Sequence, residues 1–276
     1  MLRLFKDTVH IGLYTDRIVL VRVSGGLHQR RTQQASAPVT GNSHAAPGSA
    51  ALDVLAQMLQ EPLWQDADAR VQVSNALVYY TTVPASEALM GAADEIALAQ
   101  LKFRQMHGLG SSTCEVRLGN LMSGRDQIAA ALDSGMVQRL RQILQSAKLT
   151  MRSLEPLLMS AFNRVRHQLK GDDFWFALAE PGLLMLGRWH QGHWVSLSAS
   201  SLHEPLSVGL PAQLLEARLM GGDLSDTRRV YLLTQGVDST GCTSGPDLDL
   251  VNLTESKKPD PIATAYGLGF ALEAVQ

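Results

Sequence analysis

The stretch of sequence that decides the fold reads Val9-His-Ile-Gly-Leu-Tyr-Thr-Asp-Arg-Ile-Val-Leu-Val-Arg-Val23. Its first part, 9–13, alternates apolar residues with others, which predicts a half-buried β-strand. Its later part, 18–21, is a continuous apolar run, which is typical of a strand covered on both faces. Residues 15–17 between them predict a tight turn, and a third, more polar strand is predicted at 29–35. The chain therefore opens with a meander of three antiparallel strands.

The same three-strand pattern returns in the second half of the chain. The predicted strands cover 174–179, 183–189 and 194–199, and a glycine-containing turn separates each strand from the next. Each half then continues into helices and further strands. The sequence therefore predicts a structural duplication without obvious sequence repetition.

Helical periodicity and turn residues place the remaining elements. The predicted helices are 52–59, the segment from Ser86 to Gly108, a segment capped by Ser134, one that opens at Pro156, 211–220, and a last helix with Asp260 as N-cap. The predicted strands are 70–82, 114–121, 127–132, 150–154, 230–234 and 248–253. The elements between about 83 and 154 interrupt the first half as an insertion.

The composition argues against several classes of function. The 276 residues carry a formal net charge of −2, which gives no general attraction to nucleic acid or to an anionic membrane. No apolar stretch reaches the ~20 residues of a membrane-spanning helix, and no leader sequence is evident, so we expect a cytoplasmic protein. Cys114 and Cys242 lie far apart, and we expect two free thiols.

Three stretches resemble the actin and sugar-kinase superfamily, and within it the pilus-assembly branch of PilM, the cytoplasmic part of GspL, and MshI. Residues 9–23 are similar to the opening phosphate hairpin of that superfamily. Val83-Pro84 with the acidic helix through Gln105, and then 146–156, are similar to its inserted ferredoxin-like subdomain. Residues 260–272, Asp-Pro-Ile-Ala-Thr-Ala-Tyr-Gly-Leu-Gly-Phe-Ala-Leu, look like its closing helix.

The resemblance implies an α/β, actin-like fold of two lobes, each with a three-stranded meander followed by helices. We expect a first lobe at 1–170, with the ferredoxin-like subdomain inserted at about 83–154. The second lobe is expected at 171–276, and its last helix, 261–274, is expected to pack back on the first lobe.

The nucleotide chemistry of that superfamily is missing from the matching positions of the first lobe. Members that bind ATP carry an Asp-x-Gly-[Ser/Thr] turn, whose N–H groups hold phosphate and whose Asp holds hydrated Mg²⁺. Here Gly12 stands at the Asp position and Tyr14 at the Gly position, and only Thr15 is retained. Glycine supplies no carboxylate, and the tyrosine ring takes space that the phosphates need.

The second lobe shows the same loss by the same comparison. Ala177 matches the position of the second Asp, Glu180 is the carboxylate nearby, and the adenosine-contacting Gly-Gly is reduced to Gln235–Gly236. Gly267 of the closing helix completes this degenerate cleft. Because phosphoryl transfer depends on Mg²⁺ and charge stabilisation, we expect no ATPase activity and no bound cofactor, ATP included.

The resemblance also implies a binding partner. In PilM, the N-terminal segment of a membrane-anchored protein lies in a groove beside the inserted subdomain. A similar groove here would be lined, together with the following helix, by Leu77, Tyr79, Tyr80, Val83 and Pro84. The alternative is a core strand with one ordinary solvated face. Buried apolar anchors and backbone pairing would supply the affinity for a peptide.

The leading functional hypothesis is a non-catalytic cytoplasmic scaffold of a type IV, MSHA-like pilus or of a type II secretion-like assembly. It would stay at the inner membrane by binding the cytoplasmic tail of a PilN-like protein, and it would contact the assembly ATPase. The alternative is a divergent ATP-binding kinase or ATPase of the actin-like superfamily.

Two further groups of residues have more than one interpretation. His190 and His193 flank a turn without an acidic or cysteine partner in the neighbouring sequence, so we expect turn histidines and no metal site. Either a basic interaction surface or an ordinary solvated helix face is predicted for Arg139, Arg141, Lys148 and Arg152.

Overall fold

The computed structural model describes residues 6–25, 31–40, 48–85, 91–108, 113–119, 126–220 and 227–253. The strands are β1 Thr8–Leu13, β2 Arg17–Val23, β3 Arg31–Pro38, β4 Asp68–Val73, β5 Tyr79–Val83, β6 Cys114–Leu118, β7 Gln127–Asp133, β8 Thr150–Pro156, β9 Asp173–Glu180, β10 Leu183–His190, β11 His193–Ser201, β12 Arg229–Thr234 and β13 Asp249–Asn252. The helices are α1 Ser49–Met58, α2 Ala92–His107, α3 Ser134–Ser146, α4 Leu157–Val165 and α5 Leu206–Met220.

Two five-stranded sheets repeat one topology. The first sheet has the order β3-β2-β1-β4-β8, and the second has the order β11-β10-β9-β12-β13. In each sheet an antiparallel meander is extended by two parallel strands. The predicted duplication of three-stranded meanders is therefore confirmed.

The strands β1, β2, β9 and β10 of the two sheets are buried on both faces, because they carry apolar residues on both sides. Ile11 of β1 faces a core made with α1 and α3, whereas Val19 of β2 faces α4. In β9, Trp175 faces α5 on the outer side, and Phe176 joins Val19 in the core around α4. Helix α4 thus lies between the two sheets and belongs to a core that both sheets share.

Aromatic rings fill this shared core. The ring centroid of Phe162 in α4 lies 5.4 Å from that of Phe176, 5.0 Å from that of Trp189 and 4.5 Å from that of Trp194. Such tilted and edge-on pairs contribute about 0.5–1.5 kcal/mol each beyond the burial of their surface. Because Val19 of β2 lies in the same core, α4 packs against both sheets.

The prediction of a single strand at 70–82 is wrong. The structure divides it into β4 and β5, which belong to different sheets, and a short 3₁₀ turn at Asn75–Leu77 separates them. The hydroxyl of Ser74 accepts a hydrogen bond of 3.2 Å from the N–H of Ala76 and caps this turn. A capping serine offers the backbone an alternative to the strand ladder, so the chain changes direction here.

The inserted sheet differs from the predicted segment 83–154 at both ends. It has the order β5-β7-β6 and begins at Tyr79. Strand β8, predicted as its last element, instead pairs in parallel with β4, with Thr150 opposite Asp68. The inserted sheet therefore has three strands in the described part of the chain, and α2 packs on β5 and β6.

Several helix ends differ from the prediction. Helix α2 begins at Ala92, after Gly91, and Ser86 lies outside the described residues. The N-cap of α3 is Asp133, not Ser134, because its carboxylate accepts a hydrogen bond of 2.7 Å from the N–H of Met136.

Helix α5 begins at Leu206, five residues before the predicted start at Pro211. Proline is favoured in a first turn, so the sequence rule placed the start too late. The predicted last helix, 261–274, with its cap Asp260, lies outside the described residues.

We expect mild acid to destabilise the protein through His10. This side chain is 7% exposed in β1, and burial, together with the charge of Arg70, lowers the pKa of His10 from 6.5 to about 4. The unfolded chain therefore binds a proton that the folded chain excludes. The contribution of neutral His10 to the free energy of unfolding is fully present above pH 6.5 and is lost as the pH falls towards 4. At pH 5 this loss is about 2 kcal/mol.

Urea denaturation at pH 7 and pH 5 measures this difference. The variant His10→Gln should lose about 2 kcal/mol less than the wild type between the two pH values. The control His203→Gln changes an exposed histidine and should behave like the wild type. Equal losses in the wild type and His10→Gln would contradict the assignment.

Candidate functional site

The carboxyl ends of the central strands of the two sheets meet. Because β1 and β4 run parallel, as do β9 and β12, the residues at their ends lie at one edge of each sheet. Such edges are where open α/β sheets bind ligands. The residues at these four strand ends are Tyr14, Ser74, Glu180 and Gln235.

The ring of Tyr14 fills the space beside Gly12. A Cβ atom added to Gly12 would lie 2.6 Å from Cε2 of Tyr14, so only glycine allows this contact. Tyr14 is 2% exposed and packs in the core around α4. Burial, and then the charge of Glu180, raise the pKa of the Tyr14 phenol. Thr15 is exposed in the turn, so the first hairpin presents a buried neutral ring instead of a phosphate cradle.

Glu180 binds the first lobe. Its Oε2 accepts a hydrogen bond of 2.6 Å from the hydroxyl of Ser74, and its Oε1 accepts bonds of 2.6 Å and 3.1 Å from the side-chain and backbone N–H groups of Asn75. Glu180 is the last residue of β9, one residue beyond the end at 179 that the sequence predicted for this strand. Burial raises the pKa of Glu180, and the bonds from Ser74 and Asn75 oppose that rise.

Asn75 connects four elements. Its Oδ1 accepts hydrogen bonds from the hydroxyl of Tyr80 at 2.5 Å and from the N–H of Leu158 at 3.0 Å. It thereby satisfies a backbone N–H of the first turn of α4, while its own N–H groups bind Glu180. We call this group, Ser74, Asn75, Tyr80, Leu158 and Glu180, the inter-sheet junction.

The other predicted cleft positions do not gather into a nucleotide site. Ala177 packs on the outer side with α5, so its prediction as a cleft residue is wrong; strand alternation turns its side chain away. Gln235 is fully buried, and its N–H donates to the carbonyl of Ala179 at 2.8 Å. Gly236 is exposed with a φ of +70°, and Gly267 lies outside the described residues.

The predicted partner-binding residues are mostly engaged inside the protein. Leu77 and Val83 are buried in two different cores. Tyr79 packs on the ring of His107, with centroids 5.0 Å apart, and Tyr80 belongs to the inter-sheet junction. Pro84 is exposed. The prediction that these five residues line one open groove is wrong.

A groove lies instead between β6 and β8, with part of α3 between the two strands. It encloses about 250 Å³ and is lined by residues of β6, β7, α3 and β8. Its apolar lining includes Ala130, Leu132, Val137 and Leu154. Among the described residues, β6 and β8 are each paired on one side only, because both stand at the edge of their sheets.

Charged side chains stand at the rim of this β6–β8 groove. Arg141 makes a two-pronged ion pair with Glu115, with N–O distances of 2.6 Å and 2.9 Å. These bonds lower the pKa of the Glu115 carboxyl. Arg152 pairs with Asp68 at 2.9 Å. Edge strands that carry backbone donors and acceptors beside an apolar floor can bind an extended peptide.

The three arginines of the predicted basic surface and His190 lie beside acidic side chains. Arg139 pairs with Asp53, so the arginines of the predicted basic surface each face an acid. His190 lies 3.5 Å from Asp173, an acidic neighbour that strand pairing supplies and the adjacent sequence does not. No group of three or more metal-binding side chains occurs within the described ranges.

Cys114 and Cys242 are thiols that form no disulfide. Within the part of the chain that the structure describes, no helix has the length and apolar character to span a bilayer.

The duplicated sheets, the helix between them and the inserted sheet define an actin-like fold. The PilM–PilN type IV pilus biogenesis complex shares it at 17% identity, with 98% of each chain covered and a TM-score of 0.67. So does the cytoplasmic domain of EpsL, an inner membrane component of the type II secretion system of Vibrio cholerae, at 11% identity, 98% and 94% coverage and a TM-score of 0.57.

A Bacteroides thetaiotaomicron protein with an actin-like ATPase fold is also similar, at 10% identity, 85% and 84% coverage and a TM-score of 0.55. These likenesses confirm the predicted actin-like fold and the structural resemblance to the PilM branch. Searches for a matching family model and for a matching curated protein returned none.

The inter-sheet junction can be tested with Asn75→Asp, which changes one amide to a carboxyl of the same shape. In the wild type, Nδ2 of Asn75 lies 2.6 Å from Oε1 of Glu180. In the variant, a carboxylate oxygen of residue 75 would take the place of Nδ2 and face the carboxylate of Glu180. We expect a loss of about 3 kcal/mol at pH 7, because a buried like-charge pair replaces a hydrogen bond. The loss should shrink as the pH falls, since one carboxyl of such a pair takes up a proton.

The measurement is urea denaturation of variant and wild type at each pH. Asn252→Asp, a matched change of a half-buried amide outside the junction, should cost about 1 kcal/mol or less. A cost for Asn75→Asp as small as that of Asn252→Asp would contradict the role of Asn75.

Proposed function

We propose that this protein is a non-catalytic scaffold of a type IV pilus or a type II secretion-like assembly. In this proposal it works in the cytoplasm, stays at the inner membrane by binding the tail of a PilN-like protein, and contacts the assembly ATPase. The actin-like fold is shared with the PilM–PilN complex and with the EpsL cytoplasmic domain. The finer role rests on two features of the described residues, the closed cleft and the open β6–β8 groove.

The observation that carries the non-catalytic role is the packing of Tyr14 over Gly12. The phenol fills the space where a phosphate would approach the backbone, and neither position offers a carboxylate for Mg²⁺. Glu180 is the nearby carboxylate, and Ser74 and Asn75 already donate to both of its oxygens. A metal ion at Glu180 would have to replace these bonds at the cost of the inter-sheet junction.

The β6–β8 groove supports the binding of an extended peptide tail. A strand laid along the free edge of β6 or β8 would form backbone hydrogen bonds, and its alternate side chains would point at Ala130, Val137 and Leu154. Strand β6 has five residues, so a tail segment of about five residues is enough for one ladder. The apolar floor favours apolar anchor residues in that segment.

A nucleotide titration tests the first half of the proposal. Isothermal titration calorimetry with MgATP should give no binding tighter than about 1 mM, and phosphate release should equal the protein-free background. The rival function, a divergent kinase or ATPase, requires the opposite result. Magnesium-dependent binding in the micromolar range would refute the closed cleft.

A peptide titration tests the second half. Fluorescence anisotropy with synthetic N-terminal tails of PilN-like proteins from the same organism should show saturable binding. Ala130→Arg places a long side chain in the groove and should weaken binding at least about ten-fold, or 1.4 kcal/mol. Ala93→Arg makes the same change on the exposed side of α2 and should bind like the wild type. If both variants bind the peptide with equal affinity, the tail does not bind in the β6–β8 groove.

A further inference from the structure

Helix α5 is apolar on the side that faces away from the protein. Its inner side packs on the second sheet through Leu206, Leu210 and Leu214. On its outer side, Val208 is 56% exposed, Leu215 is 58% exposed and Leu219 is 74% exposed. A helix that is apolar all round is normally covered all round, so this outer side calls for a partner.

The exposed apolar residues form one continuous stripe. Val208, Pro211, Ala212, Leu215 and Leu219 are all exposed, and their spacing places them on one face over about three turns. This α5 stripe is about 16 Å long at the rise of an α-helix. Pro211 and Ala212, near its middle, have small side chains, so another helix can approach closely.

The two charged residues of α5 lie on opposite flanks of the stripe. Glu216 follows Leu215 by one residue and Arg218 follows it by three, which places them about 100° to one side and about 60° to the other. Arg218 donates one N–H to the carbonyl of Thr227 at 2.7 Å, which holds its side chain beside the helix. The stripe is therefore bordered by a negative flank and a positive flank.

We infer that the α5 stripe is the contact between two copies of this chain. If a two-fold axis runs parallel to α5, the Glu216 flank of one copy faces the Arg218 flank of the other, about 3 Å apart along the axis. An antiparallel pair would bring like charges together, so the charges select the parallel arrangement. The same stripe serves both copies, as a two-fold contact requires.

The position of α5 makes this contact compatible with the rest of the molecule. The helix covers the outer face of the second sheet, whereas the β6–β8 groove is built by the inserted sheet and the edge of the first sheet. Pairing through α5 would leave two grooves open, one on each copy. A stripe of five side chains gives a small interface, so we expect reversible pairing in the micromolar range.

Sedimentation velocity of the full chain from about 1 to 200 μM tests the inference. The wild type should shift from monomer to dimer over this range, and Leu215→Glu should weaken pairing at least ten-fold. Leu101→Glu changes another exposed leucine, 47% exposed on α2, and should pair like the wild type. Glu216→Arg should also weaken pairing, because it opposes two positive flanks.

Thermal denaturation by circular dichroism checks that each variant is folded. A wild type that stays monomeric at 200 μM would overturn the inference, because another protein or another part of this chain would then cover the stripe. A dimer that persists in Leu215→Glu, or that Leu101→Glu weakens equally, would overturn it as well.

Discussion

The hydrogen bonds between Glu180 and Asn75 constrain the rest of the structure. They join residues 105 positions apart in sequence, across the line where the two sheets meet. A buried carboxylate is stable only when its oxygens are satisfied, so Glu180 and its partners depend on one another. Asn75 also binds Tyr80 and the N–H of Leu158, so one amide fixes the turn into the inserted sheet and the first turn of α4.

This constraint connects the closed cleft to the open groove. Glu180 occupies the edge at which an actin-like fold can bind a ligand, and there it acts as a structural acid. The turn that it holds separates β4 from β5 and sends the chain into the inserted sheet. That sheet in turn places β6 opposite β8. A cleft filled by Tyr14 and Glu180 thus goes together with the β6–β8 groove elsewhere on the first half.

The sequence predicted the two meanders well, because their alternation and their turns are local signals. The prediction of one strand at 70–82 failed because the local pattern is typical of one long strand. The turn between β4 and β5 is held by Glu180, which is remote in sequence. The side of β9 to which Ala177 points was also missed, because a one-residue shift in a strand reverses the face. The five residues predicted to line one groove lie apart, because strand order, which local patterns do not contain, decides which residues come together and which edges stay free.

The central claim is that the strand ends between the two sheets have become a structural junction and no longer form a nucleotide site. The most direct measurement is a crystal structure grown with excess Mg²⁺ and a non-hydrolysable ATP analogue. The account predicts the ring of Tyr14 over Gly12, Glu180 bound to Ser74 and Asn75, and no nucleotide between the sheets. An ordered metal–triphosphate complex with Glu180 released from Asn75 would contradict it.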